Sequence, residues 1–232
     1  MTTNNLNDEQ KILQILYLMI NALYNANLPI VFKGMLVTRC VLKENNYSFL
    51  RLTRDMDGDW IGDEIPLIEM EKCINEALCS LNNISVKAHR DYAEKTSAGF
   101  EIYEGDILIS SFDLSVKKNK YFKLYDIDGI KFYGQTIEKI IADKMCVVST
   151  RKIFRRIKDL LDIYTLSSVC EIDKDKTIEI IHDCEREIGD FAPFYNQREQ
   201  IEHAYNTMTW IKDKPDFNIV YDTCAELFKR FL

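Results

Sequence analysis

The sequence predicts an α+β protein whose strands lie in the first part of the chain and whose last part is helical. Apolar residues recur at helical spacing near the start, and β-branched or aromatic residues alternate with polar ones in the middle. Helical spacing returns after Gly134 and continues to the end. These patterns predict two domains, an α+β core at residues 1–133 and a helical domain at residues 134–232.

The predicted core begins with an amphipathic helix, a short apolar strand and a second helix. Its helices are predicted at 8–26, 35–42 and 66–81, and its strands at 30–32, 48–52, 54–60, 84–90, 99–103, 106–117 and 121–125. Asparagine and glycine residues between the strands provide the turns. In the second domain, helices are predicted at 136–148, 151–168, 174–187, 198–212 and 217–231.

Composition and charge narrow the classes of function. The chain has a formal net charge of −7, so nucleic acid would have to bind a local basic patch. Seven widely spaced cysteines without a C-x-x-C motif favour free thiols in the cytoplasm over a disulfide framework. No apolar run approaches the roughly 20 residues needed to cross a bilayer, so no membrane association is expected.

Three aspartates at alternate positions, Asp55, Asp57 and Asp59, are the most informative feature of the sequence. Side chains at i and i+2 project from the same face of a strand. Because crowded carboxylates repel one another unless a cation lies between them, this pattern predicts a divalent metal that binds phosphates. The alternative is an exposed acidic turn, since Asp-Gly-Asp also suits turns.

A two-metal site would need a further carboxylate from a neighbouring strand, and Asp113 is the candidate. Asp113 shares strand parity with Ile107 and Ile109, which predicts a partly apolar face. A lone charge is costly to bury there, so Asp113 should have a partner. The alternative is that Asp113 marks the end of a strand beside a lysine.

Two lysines could also contact phosphates. Lys33 and Gly34 lie between a strand and a helix, where backbone N–H groups attract phosphate and glycine permits its close approach. Lys144 falls on or beside the apolar stripe of its predicted helix, where lysine is unusual. The alternative for Lys144 is a packed stem with its charged head in water.

The strongest basic concentration lies on the second helix of the predicted helical domain. Arg151, Arg155 and Lys158 on this helix would suit phosphate or RNA. Arg155 with Asp159, and Lys158 with Asp162, are also i,i+4 pairs that would stabilise an exposed helix slightly. This second interpretation requires no ligand.

Taken in order, these elements resemble the nucleotidyltransferase-fold toxins of the AbiEii/AbiGii family. In that family an apolar strand ends in Lys-Gly-Gly or Gly-Ser, and Met35 stands here where a second glycine or a serine is usual. The resemblance spans roughly residues 8–168 and implies a mixed β-sheet flanked by helices. The matching segments are Phe32-Lys33-Gly34, Arg51-x-Thr53-x-Asp55-x-Asp57, Asp113, Glu138 to Lys144, and Arg155 to Ile163.

The resemblance implies an enzyme that depends on Mg²⁺ or Mn²⁺ and moves a nucleoside monophosphate (NMP) from a nucleoside triphosphate (NTP) to an acceptor. Asp55 and Asp57 would hold the metal, and Asp113 would complete the metal site or act as a base. Lys144 would bind the triphosphate or stabilise leaving pyrophosphate, and Asp159 would orient Lys144 or assist the acceptor. The other residues implied to bind nucleotide are Lys33, Gly34, Thr53 and Arg54.

The resemblance also implies partners. Members of the family act in toxin–antitoxin and phage-defence systems, and some modify the 3′ end of tRNA. The expected partners are therefore an NTP, tRNA or another RNA, and a cognate antitoxin protein. Three alternatives stay open: a catalytically weak relative that binds nucleotide without transfer, for which Met35 is the support; transfer to a protein or small molecule; and a metal-dependent nuclease.

Overall fold

The computed structural model divides the chain into two compact units. The sheet unit comprises Met1–Val37 and Leu52–Gln135, and the helical unit comprises Thr38–Arg51 and Thr136–Leu232. The helical unit thus includes a segment from the first half of the chain. The structure describes residues 3–47, 53, 55–91, 97–149, 153–208, 211 and 213–232, with side chains from residue 9 onwards.

A mixed, seven-stranded β-sheet forms the sheet unit within the described residues, in the order β3-β4-β5-β2-β1-β7-β6. β2 runs parallel to β5 and β1 runs parallel to β7, whereas the other neighbours are antiparallel. The strands are β1 (Ile30–Lys33), β2 (Asp55–Trp60), β3 (Ile84–Arg90), β4 (Ala98–Glu104), β5 (Ile107–Val116), β6 (Phe122–Ile127) and β7 (Ile130–Gln135). β1 and β2 therefore lie at the centre of the sheet.

The helices of the sheet unit cover the sheet. They are α1 (Thr3–Asn25), the first turn of α2 (Gly34–Glu44), which continues into the helical unit, and α3 (Leu67–Ala77). α1 contacts β7, and α3 contacts β3. One face of the sheet is apolar: the ring of Phe32 lies 6.2 Å from that of Phe112 and 5.9 Å from that of Phe132. The opposite face of the central strands is left for polar side chains.

The helical unit is built around α4 (Ile137–Val148) and α5 (Ile157–Val169). A 3₁₀ turn, Ile153–Arg155, precedes α5, and Thr136 caps α4 by accepting a hydrogen bond from the backbone N–H of Lys139. The stacked rings of Phe191 and Phe228, 4.2 Å apart, belong to its core. Its further helices are α6 (Lys174–Asp183), α7 (Ala192–Asn196), α8 (Arg198–Asn206) and α9 (Phe217–Lys229).

The predicted α+β class, with a mixed sheet flanked by helices and a helical C-terminal region, is confirmed. β7 and the short α7 were not predicted, and the single helix predicted at 151–168 is interrupted at Arg156, before α5 begins. The strand predicted at 48–52 lies outside the described residues. None of the described helices is long and apolar enough to span a membrane.

Candidate functional site

A single row of paired residues crosses the polar face of the sheet. Arg90 on β3 is paired with Gly99 on β4, which is paired with Asp113 on β5. Asp113 is paired with Asp57 on β2, and Asp57 with Lys33 on β1. Side chains that are paired directly across strands project from the same face. The structure therefore brings the predicted residues Asp57 and Asp113 side by side.

Asp55 extends this row along β2. It is paired with Ser111 on β5, two residues before the pair of Asp57 and Asp113. Asp55 is exposed and Asp57 is half-buried. The hydroxyl of Thr53 donates to the backbone carbonyl of Asp55 at 3.3 Å, so Thr53 supports the start of this strand.

Asp59, the third aspartate of the sequence pattern, is fully buried and lies among cationic and amide donors. Its Oδ1 accepts a hydrogen bond from Lys33 Nζ at 2.6 Å, and its Oδ2 accepts one from Asn119 Nδ2 at 2.8 Å. Lys117 Nζ lies 3.5 Å from Oδ1. The charge of Asp59 is therefore balanced inside the sheet unit.

Lys33 is anchored rather than extended into solvent. In addition to Asp59, its Nζ lies 3.0 Å from the Ser115 hydroxyl, and the side chain is mostly buried. Lys33 is paired with Asp57 across the strands, but its ammonium contacts Asp59, two residues further along β2.

Gly34 brings the start of α2 against the Asp57 carboxylate. Its φ of +71° lies in the left-handed region, which L residues adopt at a cost. A Cβ at this position would also lie only 2.7 Å from Asp57 Oδ2. The backbone conformation favours glycine, and the short distance shows that the Asp57 carboxylate lies beside the first turn of a helix.

Asp113 is held by an arginine, Arg90, that was not among the predicted site residues. Arg90 Nη2 forms an ion pair with Asp113 Oδ1. The same guanidinium donates to the Ser97 carbonyl at 3.1 Å and to the Ser97 hydroxyl at 3.2 Å. The sequence did predict that Asp113 needs a partner. It did not identify Arg90, because the strand pairing that brings Arg90 to Asp113 cannot be inferred from spacing.

The residues on this face fit a magnesium ion that binds together with phosphate. Within the described ranges, no group of three or more His, Cys, Asp or Glu side chains is arranged to hold a metal ion. Magnesium usually takes only one or two protein carboxylates and completes its shell with water and substrate phosphates. Asp55 and Asp57 offer two carboxylates on one face of β2, beside a helix start that attracts phosphate.

In the helical unit, Lys144 joins two carboxylates of α5. Its Nζ lies 3.0 Å from Asp159 Oδ1 and 2.8 Å from Asp162 Oδ2, and only 12% of its side chain is exposed. Burial lowers the pKa of Lys144, but the charges of Asp162 and Asp159 outweigh it, and the pKa is raised overall. Lys144 therefore stays protonated, and its head is held by carboxylates rather than by water.

Asp162 corrects one sequence prediction. The i,i+4 interpretation placed it on the exposed side of the helix, but it is buried. Lys144 explains the difference, because a buried carboxylate needs a compensating cation. Arg155 and Asp159 likewise do not share one continuous helix, since Arg155 lies in the 3₁₀ turn and Asp159 in α5.

A second charged cluster joins α4 to the segment after α6. Lys139 is buried, and its Nζ lies 2.6 Å from Asp143 Oδ1. Arg186 Nη1 reaches the same oxygen at 2.6 Å. Nearby, Lys176 pairs with Glu138 at 3.0 Å. These contacts neutralise Asp143 and fasten the helices of this unit together.

The predicted basic residues of the helical unit face solvent where they are described. Arg155 and Lys158 are exposed, and the guanidinium of Arg155 lies 5.9 Å from the ring centroid of Phe154. Phe154 lines a groove of about 600 Å³ together with residues of α8. The predicted site residues Arg54 and Arg151 lie outside the described residues.

Comparisons with known proteins show the fold. No protein-family model and no curated protein matches the chain. Among solved structures, MenT4, a nucleotidyltransferase toxin from Mycobacterium tuberculosis, matches with a TM-score of 0.57 and 12% identity, over 96% of this chain and 90% of that one. This likeness over most of both chains shows that the chain has the nucleotidyltransferase fold.

Two further structures match with lower TM-scores. A protein of H. pylori inferred to be a nucleotidyltransferase gives 0.44 at 14% identity, over 100% of this chain and 97% of that one. An antigenic nucleotidyltransferase-like protein from Paracoccidioides brasiliensis gives 0.48 at 14% identity, over 92% and 93% of the two chains.

Proposed function

We propose that this chain is a magnesium-dependent nucleotidyltransferase that moves an NMP from an NTP to an acceptor. One observation carries the proposal: on a nucleotidyltransferase fold, Asp57 lies beside Asp113 on the sheet face, with its carboxylate against Gly34 at the start of α2. Carboxylates that can hold a metal, next to backbone N–H groups that attract phosphate, suit the transfer of a nucleotide.

Asp55 and Asp57 would hold the metal, with Mn²⁺ as a substitute for Mg²⁺. The ion would neutralise charge on the triphosphate. The N–H groups at the start of α2 would bind phosphate oxygens, with Gly34 allowing the close approach. Thr53 donates a hydrogen bond to the backbone carbonyl of Asp55, so it would hold the start of the strand that carries both carboxylates.

The transfer forms a bond between the acceptor oxygen and the α-phosphorus and breaks the bond from that phosphorus to the β-phosphate. The acceptor hydroxyl gives up its proton, and pyrophosphate leaves. Asp113 would accept that proton; its position beside Asp57 and the 43% exposure of its side chain support this role. Lys33 contributes positive charge near Asp57, although its ammonium is bound to Asp59.

We propose RNA as the acceptor, with the 3′ end of tRNA as the first candidate. Exposed Arg155 and Lys158 form a local basic surface in an acidic chain, and Phe154 beside them offers a ring on which a base can stack. MenT4 is a toxin. We therefore also propose that this chain is a toxin of the AbiEii/AbiGii family and that a cognate antitoxin protein binds it. The roles of Lys144 and Asp159 at the triphosphate, and of Arg54 and Arg151, stay predictions.

The test is transfer of label from each α-labelled NTP in the presence of Mg²⁺ and total cellular RNA, resolved on a gel. We expect label in an RNA band with the wild-type chain and none with Asp57→Asn. A protein extract and a small-molecule pool in place of RNA test the other acceptors. If the chain binds NTP with Mg²⁺ but transfers label to none of these, a nucleotide-binding relative without activity is supported, as Met35 suggests.

A further inference from the structure

The ion pair between Arg90 and Asp113 joins two strands that are not neighbours in the sheet. The two residues lie on β3 and β5, two strand spacings apart, or roughly 9–10 Å. Only a long side chain can cross the intervening strand β4. Arg90 does so, and its guanidinium contacts Asp113 and both oxygens of Ser97.

Three local features of the fold prepare this contact. A β-bulge between Ala88 and Arg90 shifts the register of β3 against β4, and bulges commonly re-aim a side chain beside an active site. Gly99 leaves the path across β4 open, since a Cβ there would lie 3.0 Å from Arg90 Nη2. The oxygens of Ser97, the residue directly before β4, then accept hydrogen bonds from the guanidinium. Bulge, glycine and acceptors all direct one cation to one carboxylate.

We propose that Arg90 is a positioning residue that takes the place of a metal ion at Asp113, so that the chain binds a divalent cation through Asp55 and Asp57 and not through Asp113. Ion pairs between arginine and carboxylate are strong, directional hydrogen bonds. A metal ion at Asp113 would have to displace the guanidinium or lie beside it against charge repulsion. Arg90 instead holds Asp113 in one orientation towards the acceptor hydroxyl.

This inference rests on the proposed function and departs from the prediction that Asp113 is a third metal ligand. It is tested by titrating the chain with Mn²⁺ and measuring the free ion by EPR. The titration is done without nucleotide and with α,β-methylene analogues of the four NTPs. Wild type is compared with Asp57→Asn and Asp113→Asn. We expect Asp57→Asn to weaken Mn²⁺ binding at least about tenfold, the lower end of the effect of losing even an outer partner of a metal ligand. Asp113→Asn should leave it unchanged.

Equal losses of Mn²⁺ affinity in Asp57→Asn and Asp113→Asn would overturn the inference while leaving the metal site of the proposed function intact. Wild type that binds no Mn²⁺ under any of these conditions would overturn both. The two failures are therefore distinguishable.

A second experiment releases Asp113 from its arginine. In an Arg90→Gln background, Asp113 is open to a cation, so adding Asp113→Asn should now weaken Mn²⁺ binding. In a Lys87→Gln background, which removes an exposed charge from the same strand, Asp113→Asn should still have no effect. If Asp113→Asn is silent in all backgrounds, Arg90 is not what keeps the metal from Asp113, and the inference is wrong.

Discussion

Replacement of Lys144 by methionine tests how the helical unit handles its buried charges. Methionine keeps much of the length of the stem but removes the ammonium that lies between Asp159 and Asp162. Asp162 is only 3% exposed, whereas Asp159 is 24% exposed and can gain water. The variant therefore removes the cation that lies against a buried carboxylate.

The magnitude follows from this difference in exposure. Removing one partner of a buried ion pair costs about 3–5 kcal/mol, and the partial exposure of Asp159 favours the lower value, about 3 kcal/mol. For a chain of this size each kcal/mol lowers Tm by roughly 2–4 °C, so Lys144→Met should lower it by about 6–12 °C. Adding Asp162→Asn removes the buried negative charge that Lys144 balances and should recover part of the loss.

Thermal unfolding followed by circular dichroism measures the effect. Lys176→Met is the matched control, because the Lys176 side chain is 45% exposed and its ion pair with Glu138 should contribute only about 0–1 kcal/mol. A fall in Tm for Lys144→Met no larger than for Lys176→Met would refute the reasoning. So would a double variant with Asp162→Asn that is less stable than Lys144→Met alone.

The pKa of Lys144 gives this effect a pH dependence. The folded chain raises the pKa above its ordinary value of 10.5, so the folded state holds the proton more tightly than the unfolded state. The stabilisation is complete below pH 10.5 and is lost as the pH rises through the raised pKa. The Tm difference between wild type and Lys144→Met should therefore be equal at pH 7 and pH 9, and a difference that shrinks over this range would contradict the assignment.

Three further perturbations separate stability, metal binding and RNA binding. Asp59→Ala should destabilise the chain by about 3–5 kcal/mol, because it takes the carboxylate from the mostly buried Lys33 ammonium and the acceptor from Asn119 Nδ2. Asp57→Ala should change stability far less; urea unfolding compares the two variants, and equal losses of stability would show that Asp59 is not the structural carboxylate of the pair. Gly34→Ala should lower the stability of the chain by about 1–2 kcal/mol and weaken Mn²⁺ binding, because the added Cβ displaces the Asp57 carboxylate. EPR titration measures the affinity for Mn²⁺, and a wild-type affinity would show that metal binding does not depend on this position of the carboxylate. Arg155→Glu with Lys158→Glu should weaken RNA binding and flatten its salt dependence, and an unchanged salt slope in filter binding would remove both residues from the RNA surface.

Periodicity and turn residues were sufficient to predict most elements, because each depends on short-range spacing. The strand predicted at 84–90 coincides with β3, and the helix predicted at 136–148 nearly coincides with α4. β7 was missed because its six residues end in Gly134 and Gln135, where the pattern was interpreted as a domain boundary. Gly134 instead avoids a clash with Tyr125, whose ring would lie 2.9 Å from a Cβ there.

The contacts of the site were less predictable, because they depend on strand order and register. The alternation of aspartates on β2 indicated a shared face, but it did not show that Asp59 is buried beneath Lys33. Nor could spacing show that a bulge in β3 brings Arg90 across β4 to Asp113. These contacts join residues that are 23 to 26 positions apart in the chain.

The fate of the two ends of an NTP is the most direct test of nucleotidyl transfer. The chain is incubated with Mg²⁺, total RNA and each NTP, labelled in parallel at the α- or the γ-phosphate. We predict that α-label enters RNA and γ-label appears in pyrophosphate, that Asp57→Asn abolishes both, and that Lys87→Gln changes neither. Entry of γ-label into the acceptor, or equal transfer by Asp57→Asn, would contradict the account.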